Sequence, residues 1–335
     1  MSLVSTSKTF VSPRADWLRA AKWGLFFHYL AAPASSRELI GTSSQAWNAR
    51  VDSFDVSRFV SQVAQTGARY VMWTLGQNSG HFCSPNATYD QLTRISPSKC
   101  SRRDLWWEIA VELRKHDIQT LAYLPSHAPV HDQKAQETLG FTPSWDAGEC
   151  GLGRRYPENG DERLSQFCRN WEAVVREWSE RWGELCAGWW LDGVYFADKM
   201  YAHPDAPNFD SFAQALRAGN SDAILAFNTG VKTPLRRSCG AEDYTAGELA
   251  GDLSVAGYFP DGFHAYESPI DGAQLHVLTF LGEYWGKGEP RFPDELVVGY
   301  TQYLNARGGA ITWDVPVSET GEIAPAFLHQ LQKLR

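Results

Sequence analysis

Seven short runs of apolar, β-branched and aromatic residues recur along the chain, and amphipathic segments separate most of them. The runs are WGLFFHYL (23–30), RYVMWTL (69–75), QTLAYLPS (119–126), GWWLDGVYF (188–196), AILAFNTG (223–230), QLHVLTFLG (274–282) and GAITWDVP (309–316). Segments 55–67, 102–116, 162–183, 209–219 and 294–308 carry apolar residues three and four apart; several start after Asp or Ser and stop at Gly, which reads as helix. Strands apolar on both faces, alternating with helices, require a parallel sheet covered on each side. Seven or eight such units over about 310 residues fit a (β/α)8 TIM-type barrel better than an open dinucleotide-binding sheet. No GxGxxG follows the first run. An eighth strand is expected within 238–268, where the pattern fails, which makes the sixth unit irregular. Residues 1–335 read as a single catalytic barrel domain, with 1–12 a tag or disordered arm.

Composition narrows the function classes. The apolar fraction is 43% and the net charge −8, so there is core material but no basic stripe to neutralise phosphates, and no nucleic-acid partner is expected. No apolar run approaches the roughly 20 residues that cross a bilayer, so no membrane partner is expected. The opening MSLVSTSKTF lacks the apolar core of a secretory leader, and its Met-Ser-Leu looks like an expression-vector remnant. Six cysteines without a CxxC pair suggest a reduced compartment and no zinc. The expected location is therefore cytoplasmic, or secreted or periplasmic if a native leader has been removed. Fourteen Trp and thirteen Tyr exceed what a core needs and point to a cleft that stacks on sugar rings.

In barrels of this type the active site lies at the C-terminal strand ends. There the runs deliver His28 and Tyr29; Gln77 and Asn78, with His81 beyond; Ser126 and His127; Asp192; Asn228; Glu283, Tyr284 and Trp285; and Trp313 and Asp314. A lone His or Asp at such a place is as readily a turn cap. Asp192 stands apart, because WWL and GVY bury its surroundings and an unpaired buried carboxylate is costly. GWWL is expected to fill the barrel interior, with Asp192 emerging where the interior meets the cleft.

Five segments, in order, resemble the α-L-fucosidase family of glycoside hydrolases (family 29). WLRAAKWGLFFHYL (17–30) is similar to its opening W-[FL]-x-x-A-[KR]-[FW]-G-[LI]-F-x-H-W-G, and FVSQVAQTGARYVMWTLGQNSGHFC (59–83) to the unit ending T-K-H-H-D-G-F-C. RRDLWWEIAVELRKHDIQTLAYL (102–124) resembles the third unit, GWWLDGVY (188–195) the W-F-D-G nucleophile strand, and LNARGGAITWDVPVSETGEI (304–323) the late K-N-G-N-L-L-L-N-[IV]-G-P-x-x-D-G-x-I. The resemblance implies a retaining exo-glycosidase that uses no cofactor or metal and cleaves a terminal sugar by double displacement. It makes Asp192 the nucleophile and His28 a sugar contact. By its spacing from Asp243 in EDYTAGEL, Glu248 becomes the acid/base, with Glu242 the runner-up and Glu267 and Glu283 further back. Asn228 and Trp47 are retained sugar-contact positions, Gln77 and Asn78 replace the paired histidines, and Trp285 and Trp313 would pack on the ring.

The chain departs from the family pattern in lacking the arginine expected after Asn228 and the glutamate expected before Trp47, and the β-sandwich that usually follows the barrel is not expected here. Several fucose contacts have changed while the nucleophile strand has not. The alternatives are a glycosidase for a different sugar and a non-catalytic glycan-binding barrel. Metal-dependent hydrolysis is disfavoured because the nine histidines show no HxH or HExxH. The expected partner is a small glycoside or oligosaccharide; oligomeric state is not readable.

Overall fold

The computed structural model describes residues 12–31, 42–147, 155–157 and 160–335. The expected arm at 1–12, apart from Ser12, lies outside the described residues, as does Cys150. Seven strands form one all-parallel sheet: β1 (Trp23–Phe27), β2 (Tyr70–Thr74), β3 (Gln119–Pro125), β4 (Cys186–Asp192), β5 (Ile224–Phe227), β8 (His276–Phe280) and β9 (Ala310–Asp314). Each falls within or overlaps one of the seven apolar runs. The intervening β6 (Ala256–Phe259) and β7 (Gly262–Ala265) form a separate antiparallel hairpin. The sheet order is β5-β4-β3-β2-β1-β9-β8, curled into a half-barrel that β5 and β8 do not close by pairing. Among the described residues no helix is long and apolar enough to cross a membrane.

The helices begin and end on local chemistry. Asp55 and Asp104 accept from the backbone N–H groups of Arg58 and Trp107, capping helices Val56–Thr66 and Leu105–Arg114. Gly67, at φ 84°, ends the first of these in the left-handed conformation that stops a helix.

Two apolar cores follow from the two-residue period of a strand. One face of the sheet carries Phe26, Tyr70, Met72, Leu121, Tyr123, Trp190, Ala226 and Leu278, which pack together on the concave side. The alternate residues, among them Phe27, Trp73, Leu124, Trp189, Leu191, Phe227 and Trp313, pack outward against the helices. The expectation that GWWL fills the interior is therefore half right: Trp190 points in, while Trp189 and Leu191 point out.

The segment expected to hold an eighth strand touches both open edges without forming a regular ladder. Its Thr245 N–H donates to Gln274 and its Leu249 N–H to Leu278, beside β8, at 3.0 and 2.9 Å. Leu278 in turn donates to Gly247 at 2.9 Å. Gly247 takes φ +65°, and a Cβ there would lie 1.9 Å from the His276 carbonyl oxygen, so only glycine permits this approach. On the other side Asp243 N–H donates to the Leu225 carbonyl at 2.9 Å. The rest of the β5 edge is met by side chains: Leu225 N–H donates to Asp243 Oδ2 (3.0 Å) and Phe227 N–H to Glu242 Oε1 (2.6 Å). Buried backbone donors need partners, and two consecutive carboxylates supply them here.

Asp243 also accepts from Arg217 at 2.5 Å and from Ser12 Oγ at 2.7 Å. Its loss would strand a mostly buried guanidinium and a backbone N–H together. Asp243→Ala is therefore expected to destabilise the fold by about 3–5 kcal/mol, read as a lowered urea midpoint at unchanged m-value.

Candidate active site

The two-residue period that places an apolar residue inside the curl also places the next inward residue at its rim. Two positions after Phe26 stands His28; after Trp190, Asp192; after Ala226, Asn228; after Ala246, Glu248. Asp314 follows Ala310 and Thr312 on the same face. These five polar residues thus share one mouth, floored by Phe26, Tyr123 and Trp190. Tyr123 stacks on Trp190 with ring centroids 5.4 Å apart and lies 5.2 Å from Phe26.

Asp192 receives three donors. Asn228 Nδ2 donates to Oδ1 at 3.0 Å, Gly193 N–H to Oδ1 at 2.8 Å, and the Tyr123 hydroxyl to Oδ2. The Tyr123 hydroxyl accepts from Gln77 Nε2 at 2.7 Å. Burial, and next the charge of Asp192, hold the Tyr123 phenol well above its ordinary range, so it keeps its proton and donates.

The same Asn228 nitrogen donates to Glu248 Oε2 at 2.6 Å. Acceptors at 3.0 and 2.6 Å, on two N–H bonds of one amide about 120° apart, stand about 5 Å from each other. Asn228 is itself fixed: its N–H donates to the Leu191 carbonyl (2.7 Å), its carbonyl accepts from Val194 (2.8 Å), and its Oδ1 accepts from Gly230 (3.1 Å). Glu248 has its pKa pushed up to about 7, first by burial and then by the negative charge of Asp192, against the opposing Asn228 hydrogen bond.

A second corner of the mouth is built on Asp314, which is fully buried. Its Oδ1 pairs with His28 Nδ1 at 2.7 Å, and its Oδ2 accepts from Gly286 N–H at 2.6 Å. Gly286 sits at φ +62°, where a Cβ would fall 2.8 Å from His28 Cβ. Trp285 is thereby brought beside His28, with ring centroids 5.7 Å apart, and it also packs edge-on to Phe280 at 4.9 Å.

The structure brings Asp192, Glu248, Asn228, Gln77, His28 and Trp285 together around this mouth. His127 is buried near Asp192, with Nδ1 bonded to the Ala128 carbonyl and its pKa lowered by burial. Asn78 is half-buried, and its carbonyl accepts from His131 N–H at 2.9 Å. His81 is buried against Trp47, and burial lowers its pKa to about 4. Glu267 and Glu283 are exposed. Glu242 is 1% exposed, and both its oxygens accept backbone N–H groups, from Phe227, Ser238 and Cys239.

Two tryptophans expected to line the pocket do not. Trp313 falls on the outward parity of β9, fully buried, with its indole N–H on Thr301 Oγ1 at 3.1 Å. Trp47 lies on the sheet-facing side of helix Ser44–Asp52, 1% exposed, with its indole N–H on the Phe82 carbonyl at 2.9 Å. Both rings are core, with their polar atoms already satisfied. Conversely, Tyr123 was not among the candidates. The available signal was a tyrosine on the inward parity of a strand, two residues before its end.

No protein-family model matches the chain, and no curated protein sequence matches it. Solved structures resemble its fold. The endo-fucoidan hydrolase MfFcnA4 from glycoside hydrolase family 107 superimposes with a TM-score of 0.69 at 18% identity, over 96% of this chain and 53% of that one. The endo-fucoidan hydrolase P5AFcnA from the same family gives 0.67 at 14% identity, over 97% and 92%. The α-L-fucosidase AlfC from Lactobacillus casei, in complex with α-L-fucose product, gives 0.62 at 16% identity, over 96% and 97%. The chain thus spans about half the length of MfFcnA4. At these identities the likeness is one of fold.

The folded protein holds the Glu248 proton up to about 7, whereas an unfolded chain releases it near 4.5. The stability this proton contributes is complete below the unfolded value and is lost as pH rises through the folded one. Glu248→Gln keeps the neutral form at every pH. Its stability relative to the parent protein should therefore rise between about pH 5 and about pH 8 in urea titrations; a constant difference would contradict the raised pKa.

Proposed function

We propose that the chain is a retaining, exo-acting glycoside hydrolase, α-L-fucosidase-like, working by double displacement on a single barrel-type domain whose sixth strand is the irregular segment 243–249. The observation that carries this reading is the shared amide of Asn228, which donates to both Asp192 and Glu248; with ideal amide geometry the two acceptor oxygens lie about 5 Å apart, which suits a retaining pair, whereas an inverting pair needs about 6.5–9.5 Å. The fold likeness to enzymes named as fucosidase and fucoidan hydrolases supports the substrate class.

In the first step an Asp192 oxygen attacks the anomeric carbon as the glycosidic C–O bond breaks, and Glu248 gives its proton to the departing oxygen. In the second, Glu248 takes a proton from water, whose oxygen attacks the same carbon and releases Asp192. Tyr123 and Gly193 N–H hold Asp192 in place. His28 offers Nε2 to a sugar hydroxyl, since Nδ1 is committed to Asp314, and Trp285 takes the apolar face of the ring. Gln77 reaches the same pocket through its hydrogen bond to Tyr123, and Asn78 is proposed as a further sugar contact on its sequence position alone. No cofactor enters these steps. The names of the family 107 neighbours favour a second reading of the same chemistry, cleavage within a chain, and product size separates the two.

Asp192→Asn should lower kcat by roughly 10⁴-fold or more with folding intact, and a 2-fluoro glycoside should label Asp192 in the parent protein. A folded Asp192→Asn variant with substantial turnover, or a label elsewhere, removes Asp192 from the nucleophile role; binding without turnover supports a glycan-binding barrel instead. Glu248→Ala should cost about 10²–10⁴-fold on poor leaving groups, far less on activated aryl glycosides, and azide should restore turnover as a glycosyl azide. In the parent protein, kcat/KM should fall as pH rises through about 7, when Glu248 loses the proton it must donate.

A further inference from the structure

We infer that Glu242 is a positioning residue that acts through Asn228, setting where both carboxyl groups of the proposed pair stand; this rests on the hydrolase reading above. Phe227, the last residue of β5, is on the open edge of the regular ladder. Its N–H is buried and faces the place where a neighbouring strand would supply an acceptor. Glu242 Oε1 supplies it at 2.6 Å, and Ser238 Oγ donates to the Phe227 carbonyl at 3.0 Å. That carbonyl shares a peptide unit with the N–H of Asn228. Side chains from one loop therefore grip Phe227 on both its backbone polar groups, immediately before the amide that bridges Asp192 and Glu248.

The other end of the grip is equally fixed. Glu242 Oε2 accepts from Ser238 and Cys239 N–H, and Arg237 donates to the Glu242 carbonyl at 2.9 Å. Glu242 then leads directly into 243–249, the segment that delivers Glu248. One carboxylate thus ties the strand end bearing Asn228 to the start of the segment bearing Glu248. With three backbone donors on its two oxygens it serves as an acceptor, and at 1% exposure it offers no face to a leaving group. Glutamine in its place would turn an NH₂ toward N–H donors, releasing at least one of them.

The test combines turnover with a spectroscopic readout on Asn228. Glu242→Gln should lower kcat about 10–100-fold on activated and unactivated aryl glycosides alike, the order expected for displacing reacting groups by up to about 1 Å, with no rescue by azide. The Asn228 side-chain amide, assigned in ¹⁵N spectra with an Asn228→Asp reference, should report the Glu248 titration, and its midpoint should move upward as the Asn228–Glu248 hydrogen bond loosens. Burial raises Glu242 itself to about 7, so Glu242→Gln also removes a group titrating in this range, and the charge-neutral Ser238 variant isolates the geometric effect. Ser238→Ala, neutral and small, should shift the midpoint the same way with a kcat loss of several-fold, and it carries the test if Glu242→Gln does not fold.

Azide rescue of Glu242→Ala with leaving-group dependence would make Glu242 the acid and overturn the inference. So would a folded Glu242→Gln or Ser238→Ala protein whose kcat and Asn228 midpoint match the parent. A parent protein that turns over no glycoside, yet shows the midpoint shift in both variants, would remove the hydrolase reading and leave the positioning role standing.

Discussion

A curled parallel sheet that does not close by regular pairing has two edges, and the buried N–H groups along them must find acceptors. This constraint shapes the region between β5 and β8. Segment 243–249 leans on β8 through backbone hydrogen bonds at Thr245, Gly247 and Leu249, whereas β5 receives one backbone donor, Asp243 N–H on the Leu225 carbonyl, and gives its own N–H groups to the side chains of Asp243 and the preceding Glu242. Side-chain acceptors reach farther than a strand backbone, so β5 and the segment need not run in register. The gap they leave is spanned at the rim by Asn228, whose amide nitrogen reaches Asp192 on β4 and Glu248 on the segment. The candidate chemistry and the sheet's least regular edge thus lie in the same place.

Much of this was legible in the residues, because period and spacing are local. The seven apolar runs located the seven parallel strands, and the failed periodicity at 238–268 marked where the ladder is interrupted. The bracket around Asp192 marked a carboxylate that needed partners. Extending the two-residue period from Trp190 to Asp192 also separates Trp313 from Asp314: adjacent residues on β9 face opposite ways, so one enters the helix layer and the other the mouth. Trp47 could not be sorted this way, because a helix face is fixed by what it packs on, here the Phe82 carbonyl and Tyr29 ring. Tyr123 and the bridging function of Asn228 depend on distances between β3, β4, β5 and the irregular segment, which no local pattern encodes.

The two carboxyl groups are unequal in ways that match unequal duties. Among the described residues Asp192 is supplied by a phenol, an amide and a backbone N–H, while Glu248 shares the amide. Donors favour the charged form of whatever they reach, and burial disfavours it. Glu248, with burial as its largest influence and one donor opposing, is held near neutrality, and the charge of Asp192 adds to that effect.

This last contribution gives the proposed reaction its direction. While Asp192 is a free carboxylate, its charge helps Glu248 retain the proton that the leaving group needs. Once Asp192 is bonded to the anomeric carbon, that charge is gone. Burial remains and so does the Asn228 hydrogen bond, which now opposes burial without the neighbouring anion. The same Glu248 therefore becomes a weaker holder of protons at the moment it has given one away. It is then suited to remain a carboxylate until water arrives, and to take the water's proton only as the ester opens and the Asp192 charge returns. In the proposed reaction, burial together with this coupling to Asp192, maintained by one amide, would carry Glu248 from acid to base.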